Sequence, residues 1–450
     1  MLHHTGDTDD TLLRRNAVIQ VFQDDATCRA HVRSILHRLG RNPYHGACAY
    51  LFHPSSKHPE HIGGFALLAV IPFVFLFMGF VHPTFLLGVA GMFAINAVVY
   101  YLFGKKWMAE IVSVRHIAAV LKTAGRLSNA LPPERVMLQS EMKALCLEMK
   151  PIARWNALFA MQRQSEFDFL TDYVRIMLQL DMLCLGRLTV FMGKHNEALR
   201  RLYRLVGEVD VDQAMATYRA CGKTLCKPEF LPDLRVVAQG LTHPLITSPV
   251  PNDIDWNRCV LLTGSNASGK STFIKAMAIN AILAQSVLTC TAERFGLPRV
   301  RVMTSMALRD SVKDGESYFV VEIKSLKRIA DALGEETPTL CFIDEILRGT
   351  NTVERIAASS VLLDYMNGKN GLCMAATHDQ ELTEMLPEFR QMHFREEMTA
   401  DGMTFSYKIL EGASNTRNAI ALLAQMDFPE EVVQGAKNAA ARFDAERRWR

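Results

Sequence analysis

Gly264-Ser265-Asn266-Ala267-Ser268-Gly269-Lys270-Ser271 carries two glycines five positions apart, followed at once by a lysine and a hydroxyl residue. That spacing suits a loop that wraps a phosphate chain. The glycines let the backbone curl so that its N–H groups face the phosphates, and the positive end of a following helix adds to the field. Lys270 is placed to reach the β- and γ-phosphates, and the Ser271 hydroxyl to ligate Mg²⁺, with Thr272 in the same turn. The loop needs a strand before it and a helix after it. The sequence offers both: Cys259-Val260-Leu261-Leu262-Thr263 reads as a short buried strand, and STFIKAMAINAILA reads as a helix.

About 70 residues further on, Thr339-Leu340-Cys341-Phe342-Ile343 ends in Asp344-Glu345. Alone, an apolar run closed by two carboxylates is an ordinary strand end. Beside a phosphate loop it gains a role: Asp344 to hold Mg²⁺, and Glu345 to orient or deprotonate the attacking water. A third apolar run, Gly371 to Ala375, leads into Ala376-Thr377-His378-Asp379. Polar groups at the carboxyl ends of strands lie where an open α/β sheet binds ligands, which brings His378 within reach of a γ-phosphate.

The elements around these residues follow from pattern. From about residue 232 short apolar runs alternate with helical periodicity, which predicts a parallel sheet in an α/β domain. Residues 105–230 are helical in texture. AEIVSVRHIAAVLKTAGRLSNA and the long run from Phe167 repeat apolar residues every three to four positions, with a break at Pro132-Pro133. Residues 1–60 read as a small helical region without chemistry of its own.

Between these lies a stretch unlike the rest. His61 to Gly104 is 44 residues without one Asp, Glu, Lys or Arg, in a chain that is 22% charged. Pro83 divides it into Ile62–Phe80 and Phe85–Phe103, each long enough to cross a bilayer of about 30 Å, and Pro72 is tolerable there as a kink. The connecting Val81-His82-Pro83-Thr84 has no Lys or Arg. Lys57 precedes the first segment, while Lys105-Lys106 and Trp107 follow the second. Positive charge on that side predicts a hairpin with both ends, and the rest of the chain, in the cytoplasm. The localisation expected is the inner (cytoplasmic) membrane, multi-pass. The competing reading is a buried hairpin in a soluble core.

Composition narrows the classes. Over 450 residues, 50 Lys+Arg against 47 Asp+Glu leave a net charge of +3, which excludes a strongly basic nucleic-acid coat and an acidic tail. Ten cysteines without a CxxC pair argue against a disulfide scaffold or a zinc site and for free thiols in a reducing compartment. MLHHTGDTDD lacks the order of a cleavable signal peptide.

Taken in order, these motifs resemble the ATPase domain of the MutS family. TGSNASGKST is similar to its phosphate loop, and IDEILRGTNT to its Asp-Glu strand with the Arg348–Thr350 turn. Ser317-Tyr318-Phe319-Val320-Val321-Glu322 fits its S-x-F-x-x-E pattern, and ATH its histidine. His243-Pro244-Leu245-Ile246, Val250-Pro251-Asn252-Asp253-Ile254, Tyr407–Gly412 and Leu422-Leu423-Ala424 resemble the flanking segments. The likeness is close over about 232–440 and only a matter of helical texture, lever-like, over 105–230. It implies a P-loop NTPase domain of the ABC/MutS-like kind at 232–450 with a lever-like region at 105–230 before it; the transmembrane hairpin at 61–104 and the helical region at 1–60 are expected from the residue pattern alone. It implies ATP with Mg²⁺, and a homodimer in which Ser317 of one chain completes the other's site. Departures accompany it. Nothing before residue 61 has room for a mismatch-recognition domain, 105–230 is short for a lever with a DNA clamp, no dense basic stripe is present, and no nuclease domain is recognisable after residue 440. Mismatch readers often place an aromatic ring just before Pro251-Asn252. Here Pro249 and Val250 stand there, leaving Tyr407 as the candidate ring. The expected function is a membrane-anchored MutS-like ATPase. A DNA-binding mismatch-repair factor and a membrane-bound ABC- or SMC-like motor are the alternatives, and DNA stays open as a partner.

Overall fold

The computed structural model describes residues 9–41, 47–52, 62–132, 135–151, 168–265, 268–306, 318–399, 402–414, 420, 423–424, 426 and 428–446. It divides into two compact units, residues 17–221 and residues 222–450 joined by 1–16.

The first unit is helical. Helix α1 (Asp9–Asp24) begins outside it, and α2 (Ala26–Gly40) starts on Asp25, whose carboxylate accepts the Cys28 N–H at 2.8 Å. After α3 (Ala47–Phe52) come α4 (Ile62–Gly79) and α5 (Phe85–Lys106), then α6 (Met108–Ala130), α7 (Val136–Glu148), α8 (Asp168–Met177), α9 (Leu180–Lys194) and α10 (Asn196–Arg219). In α6 the buried residues Ile111, Val114, Ala118, Leu121, Ala124 and Leu127 recur every three or four positions and face a matching stripe on α10 that includes Leu199, Leu202 and Val209. This stripe pairing is one part of the bundle core, to which α2 adds Val32, Ile35 and Leu36 and α7 adds Met142. Arg135 and Asp212, both largely buried, pair beside it.

Helices α4 and α5 form an antiparallel hairpin. Gly88 lies under the Phe75 ring, where an added Cβ would stand 2.6 Å from the ring, so only glycine permits this approach. Among the described residues α5 alone is long and apolar enough to cross a membrane, with mean hydropathy 1.9 and 6% of its apolar window buried. The apolar part of α4, Gly63–Gly79, is shorter than the Ile62–Phe80 span expected from the sequence.

The second unit is α/β. A six-stranded sheet is ordered β10-β9-β4-β8-β7-β6, from β4 (Val260–Thr263), β6 (Arg301–Ser305), β7 (Thr339–Asp344), β8 (Gly371–Ala376), β9 (Arg390–Thr399) and β10 (Gly402–Glu411). Its pairs are parallel except β9 with β10. A second sheet, β1-β5-β2-β3, uses β1 (Glu229–Phe230), β2 (Val236–Leu241), β3 (Asn252–Trp256) and β5 (Arg294–Leu297). Helices α11 (Lys270–Val287), α12 (Tyr318–Ala332), α13 (Thr352–Asn367), α14 (Glu381–Met385) and α15 (Glu430–Glu446) complete it. Residues 9–16 of α1 belong to this unit: Arg15 donates to the Ser286 carbonyl at 2.6 Å near the end of α11.

Alternate residues of the central strands enter two cores, because successive side chains in a strand point to opposite faces. Val260, Leu262, Leu340, Phe342 and Met374 join Trp256, Phe273 and Phe295 on one face. Leu261, Cys341, Ile343, Cys373 and Ala375 join Leu326, Ile329 and Leu363 on the other. Burial on both faces is why these strands read as continuous apolar runs. Within the second core Cys341 lies beside Cys373 in register, and the Cys373 N–H meets the Cys259 sulfur at 3.4 Å. Burial pushes all three thiols up, that of Cys341 to about 12.

Candidate functional site: a phosphate loop at the carboxyl edge of the sheet

Strand β4 ends at Thr263 and the chain turns into α11 through the glycine-rich loop. Gly264 has φ +132°, and a Cβ there would lie 2.6 Å from the Phe394 carbonyl, so the turn demands glycine. Gly269, at φ +111°, packs beside the Tyr407 ring. Ser268 donates to the Ser265 carbonyl at 2.8 Å. Lys270 is buried, and its ammonium donates to the carbonyls of Gly264 and Ser265 at 2.6 and 2.7 Å. The lysine is therefore held over the loop's own concavity by two acceptors that a phosphate oxygen can replace.

The acidic strand meets this loop. Ser271 Oγ donates to Asp344 Oδ1 at 3.0 Å, joining the first turn of α11 to the end of β7. A hydroxyl and a carboxylate at this separation form an all-oxygen donor pair that fits Mg²⁺, a hard cation bound through few protein ligands plus phosphate oxygens. Glu345 follows in the left-handed region, at φ +57°, with its N–H donating to the Ala376 carbonyl at 3.1 Å. That conformation turns the side chain out of the strand line. One carboxylate oxygen lies 2.8 Å from Arg348 and the other 3.2 Å from His378 Nε2.

His378 is positioned from beneath. The Thr377 N–H donates to the Leu262 carbonyl at 3.0 Å, binding the end of β8 to β4, and the Thr377 hydroxyl accepts the Asp379 N–H at 3.0 Å. Arg355 on α13 grips Asp379 through two hydrogen bonds of 2.9 and 2.6 Å. Such a fork fixes both direction and distance.

Glu322 of α12 is almost fully buried. Burial pushes its carboxyl pKa up, against the opposing pull of the backbone N–H groups of Leu347, Arg348 and Gly349. It thus supports the turn that carries Arg348 and contains a second left-handed residue, Leu347 at φ +54°.

Beside the loop opens a cleft of about 360 Å³, lined among others by His243, Val250, Thr272, Phe394 and Tyr407. The Tyr407 ring stacks on Phe405 with centroids 5.8 Å apart. Asn252 fixes the wall: its amide donates to the Tyr407 carbonyl at 3.0 Å and its oxygen accepts the Ile409 N–H at 2.8 Å. Burial, with Lys275 and Lys223 nearby, holds the His243 pKa below its ordinary value.

The structure thus gathers Gly264, Ser265, Ser268, Gly269, Lys270, Ser271, Thr272, Asp344, Glu345 and His378 at one edge of one sheet. Asn266, Ala267 and Ser317 lie outside the described residues. Sequence reasoning gave no part to Asn252, Phe394 or the Arg355–Asp379 pair. Phe394 had a faint signal in the alternation of buried Met392 and Phe394 with polar neighbours. Asn252 stood only inside the family-like segment Val250–Ile254, without a role, and Arg355 had no signal, since each acts on a partner distant in sequence.

A strand, a glycine-rich loop and a helix, with an acidic strand end at the loop and a polar strand end beside it, define an α/β domain of the phosphate-loop class. The family model described as MutS domain V matches residues 260–444. Over 253 residues the chain is 32% identical to the DNA mismatch repair protein MutS of Natronomonas pharaonis, covering 54% of this chain and 29% of that one. For the DNA mismatch repair protein MutS of Thermus thermophilus the identity is 32% over 251 residues, 54% and 30% of the two chains. For that of Bacillus licheniformis it is 31% over 254 residues, 53% and 29%. Residues 260–444 therefore form a domain of the MutS family. It spans less than a third of the length of these curated relatives.

Proposed function

We propose that this chain is a membrane-anchored MutS-like ATPase that binds ATP with Mg²⁺ and hydrolyses it at a dimer interface to drive a conformational change. The observation that carries the reading is the Ser271–Asp344 contact beside the Glu345–His378 pair, which sets a metal-binding donor pair next to a carboxylate and imidazole. Lys270 leaves the Gly264 and Ser265 carbonyls and neutralises the terminal phosphates. Ser271 and Asp344 would hold a magnesium ion, which would draw charge from the phosphate oxygens. Glu345 takes a proton from the attacking water, and His378 orients that carboxylate. The adenine lies in the cleft against Tyr407.

The dimer rests on the family resemblance. The charge of a γ-phosphate is only partly covered by one loop, and a hydroxyl at the start of a partner's helix, Ser317, would complete the shell. The anchor is the α4–α5 hairpin, in the inner (cytoplasmic) membrane with the ATPase domain on the cytoplasmic side. The test of the enzyme is ATP binding and turnover by the purified full chain in detergent, with Lys270→Ala as control. Turnover equal in the two sinks the reading. Sedimentation with membranes after carbonate washing tests the anchor, because apolar insertion does not depend on ionic contacts.

A second reading is favoured by the names of the relatives, which are DNA mismatch repair proteins: the helical region acts on DNA. Filter binding across a salt series separates the two, since phosphate contacts make affinity fall steeply with salt.

A further inference from the structure

We infer that Cys226 and Cys290 form an oxidant-sensitive dithiol, which a peroxide closes to a reversible disulfide where the chain enters the α/β unit. The inference stands apart from the nucleotide and membrane readings above.

The two cysteines oppose each other outside the named strands. Their backbones exchange both hydrogen bonds, the Cys226 N–H to the Cys290 carbonyl and the Cys290 N–H to the Cys226 carbonyl, each at 2.9 Å. A hydrogen-bonded antiparallel pair of this kind sets its Cα atoms about 5.5 Å apart with both side chains on one face. A disulfide spans Cα separations of about 4.4–6.8 Å, so the backbone already stands where the bond needs it. Opposed Cβ atoms lie about 4.5–5.5 Å apart, the wide side of what a disulfide accepts, so closure draws the segments together. A disulfide closed under strain is readily reduced again.

The two thiols are unequal in reach and in acidity. Cys290 is fully buried among Trp256, Phe273 and Phe295, whereas Cys226 is half-buried at the edge of the same core. A small oxidant therefore meets Cys226 first. The Cys290 thiol hydrogen-bonds to the Cys226 sulfur and holds the Cys226 pKa below its ordinary value, against burial and with help from the Phe295 N–H. Burial, together with the same hydrogen bond, pushes the Cys290 thiol well up. The outer sulfur is thus the nucleophile and the inner one the proton-bearing partner in contact with it.

The Cys226 thiolate attacks one peroxide oxygen. An S–O bond forms and the O–O bond breaks. The hydroxide that leaves takes up the proton given up by Cys226, which becomes a sulfenic acid. The Cys290 sulfur then attacks the Cys226 sulfur. The S–S bond forms, the S–O bond breaks, and water leaves with the Cys290 proton. Two thiols have lost two electrons and two protons, and the peroxide has become two waters. In a reducing compartment such a bond is transient.

The core thiols of Cys259, Cys341 and Cys373 are no competitors, since burial keeps them protonated and out of reach. What the bond ties is definite. Cys226 follows shortly on Gly222, where the unit begins, and the Cys290 sulfur lies 3.8 Å from the Asn280 carbonyl on α11. The Asn280 side-chain oxygen also accepts the Thr291 N–H at 2.6 Å. The disulfide would therefore tether the entering chain to the helix that opens with Lys270.

The test treats the reduced, purified full chain with hydrogen peroxide, blocks the remaining thiols and maps peptides by mass spectrometry without reduction. The expected product links the Cys226 and Cys290 peptides, lighter by two hydrogens, with Cys259, Cys341 and Cys373 still thiols. Dithiothreitol should restore both thiols. Cys221→Ser should form the link as the parent does, and Cys290→Ser should leave Cys226 as a sulfenic acid that dimedone captures. The main result needs no substitution, so a variant that fails to fold does not cloud it. Cys226 linked to Cys221, Cys226 left as a thiol while Cys221 is oxidised, or a link that forms only after denaturation would each overturn the inference.

Discussion

Glu345 and His378 face each other across the carboxyl ends of neighbouring strands, Oε1 to Nε2 at 3.2 Å, although 33 residues separate them in the chain. The parallel pairing of β7 with β8, which sets Asp344 opposite Ala376, fixes this meeting. A carboxylate so held has its two oxygens in different company, imidazole on one and Arg348 on the other.

The first prediction divides the labour between the loop and this pair. Lys270→Ala should abolish measurable ATP binding. Glu345→Gln should retain it and slow hydrolysis by about 10²–10⁴-fold, the usual worth of a general base. His378→Asn should fall between, with binding intact. Equilibrium binding of a labelled nucleotide together with single-turnover rates checks all three, and loss of binding in Glu345→Gln would contradict the division.

Tyr407→Ala should weaken ATP binding by about 1–3 kcal/mol, about 5- to 150-fold, if the ring stacks on the base. Tyr407→Phe should stay near the parent affinity. Triphosphate without a base should be indifferent to both changes, so an equal loss for that ligand would show that the ring acts through the loop beside Gly269.

Mixing Lys270→Ala and Ser317→Ala chains should restore part of the ATPase activity that each lacks alone. In a mixed dimer one site keeps both residues. Restored turnover at a fraction of parent activity is the expected reading. If two folded, associating variants give none, the shared-site arrangement is wrong.

Arg355 and Asp379 are largely buried and doubly bonded, so Arg355→Met should leave a carboxylate without its partner. The expected loss is about 1–3 kcal/mol, since hydrogen bonds to charged groups are worth about that much. Asp379→Asn in the same background should recover part of it. Denaturant midpoints of the four chains give the coupling.

Stability should also depend on pH through His243. Its folded pKa lies below the ordinary value of about 6.5, so the unfolded chain takes up a proton that the folded chain refuses. Stability from this group is full above about pH 6.5 and declines as the pH falls from there toward the folded pKa. His243→Gln should flatten that decline in thermal melts between pH 7.5 and 5. An unchanged slope would remove His243 from the explanation.

The chemistry-bearing core was legible because its strands are short, buried on both faces and end in the residues that matter. Val260–Thr263, Thr339–Asp344 and Gly371–Ala376 are strands in the structure, and their apolar runs need no partner to be recognised. The hairpin of β9 and β10 was not legible. Arg390–Thr399 breaks its alternation with Glu396-Glu397, yet it supplies Phe394 to the cleft. The small sheet escaped notice because its strands are brief and mixed in polarity. In the helical unit the sequence marked the apolar hairpin but not its base. Asn96 meets Gln179 only through tertiary packing, and no local pattern joins residues 83 positions apart.

The row of Cys259, Cys341 and Cys373 gives the protein a built-in clock for its own breathing. Thiols react as thiolates, and burial keeps these three protonated at neutral pH and out of a reagent's reach. Exposed Cys221 is open to a coloured disulfide reagent from the start, whereas the three core thiols wait for the central sheet to part. Cys184 and Cys290 are buried too, so the slow phase is assigned by mapping the modified cysteines, and the share at Cys259, Cys341 and Cys373 times the opening of the central strands, without a denaturant.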